Sequence, residues 1–137
     1  MQTINERLRD AQNSRDAARM AALFAEDYRS DHPAHPGREF TGRPQVLENW
    51  TAVFAGVPDF TSVLLNAATS GDIEWGEWDW HGTYQDGSPF AMRGVTVLVV
   101  RDELIAEGRL YMETVDTTGD IRAAVQELYK PPSSPGS

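Results

Sequence analysis

The apolar positions change period partway along the chain, and that change divides it into elements. Ile4, Leu8 and Ala11 share one face of a short helix that breaks near Asn13-Ser14. Asp16 follows. Its carboxylate can accept the free N–H groups of a helix start, so a second helix is predicted, with Met20, Leu23 and Phe24 as its apolar stripe. Residues 28–32 read as an extended segment closed by Pro33 and Pro36-Gly37, because a residue before proline is pushed out of the helical region. A third helix is predicted to begin around Gly42-Arg43-Pro44, proline being suited to a first turn. Leu47, Trp50, Phe54 and Val57 then fall at spacings of 3, 4 and 3, one helical face, and Gly56 and Pro58 end it.

From residue 60 the period shortens to two. Strands are predicted over 60–69, 73–84, 90–100 and 104–115, with turns at 70–72, 85–89 and 102–103. The last turn lacks the glycine that tight hairpins usually carry. A C-terminal helix opening at Thr118-Gly119-Asp120 would carry Ile121, Val125 and Leu128 on one side. Residues 131–137 are proline, serine and glycine with no apolar anchor, and are expected to be disordered, leaving 1–130 as one domain. Helices first and a long antiparallel meander afterwards predict an α+β fold, with the helices packed on one face of the sheet.

Alternation sorts the strand residues into two faces. The inner set reads Trp78, Trp80, Met92, Gly94, Thr96, Leu110 and Met112, with Trp50 and Phe54 offered to it by the third helix. Large rings interleaved with glycines leave room that the rings do not fill, so an apolar cavity for a small molecule is expected there. The outer set mixes Trp75, Val95, Val97, Val99, Ile105 and Tyr111 with Arg93, Arg109, Glu77 and Glu113. That mixture is too apolar for a wetted face and too charged for a core, which points to a homodimer through the outer sheet face. In such an interface Arg109 is expected to pair with Glu77 or Glu113.

Composition narrows the chemistry. Among 137 residues, 12 Lys+Arg stand against 21 Asp+Glu, a net charge of −9, which argues against nucleic acid or an anionic membrane as partner. There is no cysteine, hence no disulfide, no thiolate nucleophile and no cysteine-ligated zinc. The three histidines are scattered without metal-ligand spacing, and neither a glycine-rich phosphate loop nor a Ser-His-Asp order is present, so no metal or cofactor is expected. The opening segment carries no apolar leader, and 95–100 is too short to span a bilayer, so a cytoplasmic protein is expected.

Several stretches resemble the NTF2-like superfamily, and within it the SnoaL-like polyketide cyclases and ketosteroid isomerases. They are Leu23-Phe24-Ala25-Glu26-Asp27-Tyr28-Arg29-Ser30-Asp31-His32-Pro33, Gly37-Arg38-Glu39-Phe40-Thr41-Gly42-Arg43, Trp80-His81-Gly82-Thr83 and Leu104-Ile105-Ala106-Glu107-Gly108-Arg109-Leu110-Tyr111-Met112-Glu113. The resemblance spans about residues 3–116. It implies a cone-shaped α+β domain, its curved antiparallel sheet wrapped on three N-terminal helices around a deep pocket. It also implies role positions. The general-base aspartate of the isomerases falls at His32, their oxyanion tyrosine at Leu8 and their protonated aspartate at Thr96. Leu8 cannot donate a hydrogen bond, so a ketosteroid isomerase is not expected. The catalytic aspartate of the SnoaL-type cyclases falls at or near Leu110, which carries no acid or base.

His32 is therefore the leading catalytic candidate. In an extended segment it shares a face with Tyr28 and Ser30, and a neutral imidazole in apolar surroundings suits proton abstraction or activation of a water. Tyr28 would polarise a substrate oxygen. Asp31 is a third catalytic candidate, able to orient the imidazole if Pro33 twists the chain. Glu74 lies on the pocket parity as a possible second acid or base, while His35 and His81 read as surface residues. Substrate contacts are expected from Trp50, Phe54, Trp78, Trp80, Met92, Thr96, Leu110 and Met112. The expected activity is cofactor-independent proton transfer on an apolar small molecule: cyclisation, isomerisation, dehydration or epoxide opening. The alternative is a non-catalytic binding or dimerisation module of the same fold.

Overall fold

A computed structural model describes residues 1–129. The predicted tail at 131–137 lies outside the described residues. The elements run α1 (Ile4–Ser14), α2 (Ala17–Ala21), β1 (Phe24–Asp31), a 3-10 turn (Pro36–Arg38), β2 (Phe40–Thr41), α3 (Arg43–Gly56), β3 (Thr61–Ser70), β4 (Ile73–Thr83), β5 (Pro89–Arg101), β6 (Leu104–Thr114) and α4 (Ile121–Leu128). One sheet holds all six strands in the order β2-β1-β6-β5-β4-β3. The meander β3 to β6 is antiparallel, as predicted, and β1 returns to lie parallel to β6. This is the curved-sheet α+β architecture that the sequence implied.

The helix starts follow from local chemistry. Thr3 and Glu6 form a reciprocal capping box on α1. Glu74, reaching across from β4, accepts the N–H groups of Ile4 at 3.0 Å and Asn5 at 2.9 Å. Asp16 caps α2 as predicted, accepting from Ala18 and Arg19. Buried Glu74 thus closes the helix entry and stands away from the pocket, which corrects its reading as a second acid or base. Glu74→Ala leaves two buried N–H groups unpaired and is expected to cost about 1–3 kcal/mol in a urea titration.

Two departures from the sequence pattern have a shared cause in sheet pairing. The second helix stops at Ala21, and Phe24, predicted to be helical, opens β1 because its backbone pairs with Ile105 of β6. Leu23, Phe24 and Met20 are buried all the same. Ile105, predicted to face outward, is fully buried in the core, because the β5–β6 register shifts between Val99 and Val100 and reverses the parity beyond it. The glycine-free turn works through two left-handed residues, Asp102 at φ 51° and Glu103 at φ 64°. Those are the signs that a tight two-residue hairpin turn demands.

The alternation of β4 holds. Trp78 and Trp80 are buried on the inner face, while Trp75 is half-exposed on the outer one. On that outer face Val97 and Val99 are already covered, whereas Val63, Leu65 and Tyr111 remain exposed. Within the sheet Arg109 stands beside Val97 and Asp31. Glu113 meets His35 at 2.6 Å. No helix among the described residues is long and apolar enough to cross a membrane.

Candidate active site

Between the inner face of the sheet and α1 to α3 lies a cavity of about 190 Å³. α1 and α2 contribute Leu8, Gln12 and Met20, and α3 contributes Val46, Asn49, Trp50 and Val53. The sheet side supplies Phe24, Tyr28, Ser30, His32, Phe40, Trp80, Thr96, Leu98 and Leu110. The wall is apolar and aromatic, with a few uncharged polar groups and one imidazole.

The imidazole arrives there by strand geometry. Tyr28, Ser30 and His32 alternate along the end of β1, and all three line the cavity. His32 also borders a shallow outer depression with Asp31, Pro33, Pro36 and Glu39. It therefore stands at the mouth, with cavity on one side and solvent on the other. Burial holds the imidazole below its ordinary range. Arg38 and His35 push the same way, against a smaller opposing pull from Asp31 and Glu113. The ring is consequently neutral at neutral pH, with one nitrogen free to accept a proton.

Tyr28 is deeper. Burial pushes its phenol up to about 12, the Ser30 hydroxyl beside it works the other way, and Asp31 adds to the rise. The phenol thus keeps its proton and remains a donor. Its hydroxyl lies over Gly108 of β6, where an added Cβ would come within 2.5 Å of it, so the missing side chain at that position makes the slot for the phenol.

Across the sheet the rows are regular. Asp31 pairs with Arg109, so the chain at His32 runs on toward Leu110, which pairs with Thr96, which pairs with Gly76. His32 and Thr96 are two strand spacings apart, roughly 10 Å between Cα atoms, with Leu110 between them. One ring system fits that span.

The predicted site residues divide accordingly. His32, Tyr28, Trp50, Trp80, Thr96 and Leu110 are brought together around the cavity. Asp31 is not among them. β1 stays extended through it, so its carboxylate turns to the other face, 3.9 Å from Arg29 Nε, and does not orient the imidazole. Trp78 lies under the floor, fully buried, its indole N–H donating to Thr96 Oγ1 at 2.9 Å. Phe54 packs behind Trp50 and against Phe60. Trp80 and Phe90 extend this ring cluster, and Phe54 packs in it as core where a substrate contact was expected. Met92, paired with Trp80 in the sheet, packs against the same core, and Met112 is buried within it. Neither lines the cavity. His35 and His81 are exposed and pair with Glu113 and Asp79. Among the described residues no cluster of three or more His, Cys, Asp or Glu is placed to hold a metal ion.

Sequence reasoning passed over Gln12, Asn49 and Ser30 as lining residues. Ser30 was legible from its parity with Tyr28 and His32. Gln12 and Asn49 carried no signal, since a polar residue on a helix reads as solvent-facing until packing turns it inward.

With that geometry in place, comparison with known proteins is informative. The fold is shared with wild-type IdmH from Streptomyces antibioticus, provisionally a polyketide cyclase, at 25% identity over 81% of this chain and 88% of that one, with a TM-score of 0.67. It is shared with a protein of ketosteroid isomerase-like fold from Catenulispora acidiphila, solved with trimethylamine, at 23% identity, 77% and 82% coverage and a TM-score of 0.68. An NTF2-like protein from Exiguobacterium aligns at 21% identity over 84% of this chain and 100% of that one, with a TM-score of 0.67. No curated protein matches the sequence. The family model described as a SnoaL-like domain matches residues 5–108, and the chain belongs to that family, whose members include polyketide cyclases and isomerases.

Proposed function

We propose that this protein is a cofactor-independent acid–base catalyst acting on an apolar cyclic small molecule, with His32 as the proton acceptor. The observation that carries the reading is the placement of His32, a neutral imidazole at the mouth of an aromatic-lined cavity. A base there can take a carbon-bound proton from a ligand inside and return it to water outside. Tyr28, protonated and buried, is the donor that polarises a substrate oxygen. Apolar walls keep bulk water from competing for the intermediate. Isomerisation, ring closure and dehydration all begin with that step. The kinship of the fold with IdmH is compatible with ring closure, although Leu110 supplies no carboxylate, so the proton transfer falls to His32.

The test uses 2-tetralone, a bicyclic ketone with an acidic C–H and no charge. Saturable quenching of tryptophan fluorescence, with a rise in melting temperature, is expected from occupancy beside Trp50 and Trp80. Deuterium incorporation at the acidic carbon in D2O should exceed the buffer rate. Failure of the probe to bind sinks the cavity reading, and binding without exchange sinks the catalytic one.

A second reading has one observation in its favour. The exposed Val63, Leu65 and Tyr111, beside a shallow outer depression lined by Ala67, Ala68, Trp75 and Val95, support a homodimer through the outer sheet face. Sedimentation velocity of the wild type against Tyr111→Glu tests it. A dimer that the substitution dissociates supports the reading, and a wild-type monomer at high concentration removes it.

A further inference from the structure

The hydrogen-bond accounting of the cavity wall is one-sided. Trp78 is a donor-only indole, so it engages Thr96 Oγ1 as an acceptor and turns the Thr96 hydroxyl hydrogen elsewhere. Ser62 Oγ donates to Gln12 Oε1 at 2.7 Å, which leaves the Gln12 NH2 group uncommitted. Gln45 Nε2 donates to Asn49 Oδ1 at 3.1 Å, with the same result for the Asn49 amide. Each of these cavity-lining side chains accepts one hydrogen bond from a neighbour and has its donor hydrogens left over. Among the described residues none of them donates a side-chain hydrogen bond. Gln12 and Thr96 are 1% and 2% exposed, Asn49 is half-exposed, and the same wall holds Trp80 Nε1, a buried donor with no hydrogen-bond partner among the described residues. A buried donor without a partner is costly, and an occupant that brings acceptors relieves that cost.

We infer that Gln12, Asn49 and Thr96 form an acceptor-oxygen subsite, and that the cavity takes a neutral cyclic compound with two or more ketone, lactone or ether oxygens. This deepens the proposed function and rests on its reading of the cavity as a ligand site. The donors come from three sides, α1, α3 and the sheet floor, so a single oxygen does not serve them all. Thr96 lies across Leu110 from His32, which sets an oxygen of the ligand about one ring away from the proton that His32 removes.

Titration calorimetry with a matched bicyclic pair reads this directly: tetralin with no oxygen and 4-chromanone with a ketone and an ether oxygen. The wild type is expected to bind 4-chromanone about tenfold more tightly than tetralin. Thr96→Val and Gln12→Met should each shrink the chromanone-to-tetralin ratio several-fold. Thr96→Ser, which keeps the hydroxyl under Trp78, should retain the full ratio and guards against a simple packing defect. A wild-type ratio near one overturns the inference, as does a ratio that neither variant changes. Discrimination without any deuterium exchange on 2-tetralone would leave the subsite standing and remove the catalytic role of His32. Exchange without discrimination would do the reverse.

Discussion

Gly94→Ala is expected to destabilise the protein by about 3 kcal/mol or more. Gly94 sits mid-strand in β5, paired with Trp78 on one side and Met112 on the other. A Cβ built there collides with the Tyr111 carbonyl oxygen and meets Met112 Cα at 2.8 Å and the Tyr111 carbonyl carbon at 2.9 Å. All three are backbone atoms of the neighbouring strand, so no rotamer change relieves the clash. β5 and β6 must part, between the strands that carry Thr96 and Leu110 into the cavity wall. The loss should appear as a fall in melting temperature of roughly 10 °C for a domain of this size. Gly37→Ala is the control. Nothing lies within 4 Å of its added Cβ, and its melting temperature should match the wild type. A Gly94→Ala protein as stable as that control would show that β5 and β6 are not packed as described.

His32→Ala is expected to lower the catalysed deuterium exchange of 2-tetralone by about 10²–10⁴-fold, the range for loss of a positioned general base. Binding of the ketone should change little, because the remaining wall is intact and His32 only borders the mouth. A loss in turnover with retained binding distinguishes a base from a wall residue. The side chain is half-exposed and makes no side-chain hydrogen bond among the described residues, so its removal leaves no buried group unpaired. Stability should therefore stay within about 0.5 kcal/mol of the wild type at neutral pH. If turnover is unchanged, the proton acceptor is another group.

Much of this was legible in the sequence because it depends on local periodicity. Alternation in β4 placed Trp78 and Trp80 inside and Trp75 outside, and alternation from Tyr28 to His32 placed the imidazole on the cavity face. The same parity predicted that Asp31 faces away unless the chain twisted, and β1 stays extended. Parity gives direction, not depth. It could not separate Trp50 and Trp80, which line the cavity, from Trp78, Phe54, Met92 and Met112, which share the inner side but pack in the core around it. It also failed across irregularities. Ile105 came out on the wrong face because a register shift near Val99 reversed the count. Phe24 was assigned to a helix because parallel pairing with β6, eighty residues on, is invisible locally. Gln12 and Asn49 were missed because a polar residue on a helix reads as solvent-facing; Gln12 is turned inward onto Ser62, fifty residues on, whereas Asn49 bonds Gln45 one helical turn before it.

The pH–rate profile of deuterium exchange on saturating 2-tetralone decides whether the neutral imidazole of His32 takes a proton from a ligand in the cavity. Burial lowers the pKa of His32 in the folded state, so the base form survives as pH falls through 6.5, where a free imidazole would protonate. The rate should therefore hold through that range and drop only at lower pH. That acid limb should be absent from the small residual rate of His32→Ala. An acid limb centred at or above 6.5, or one that persists unchanged in His32→Ala, would contradict the account.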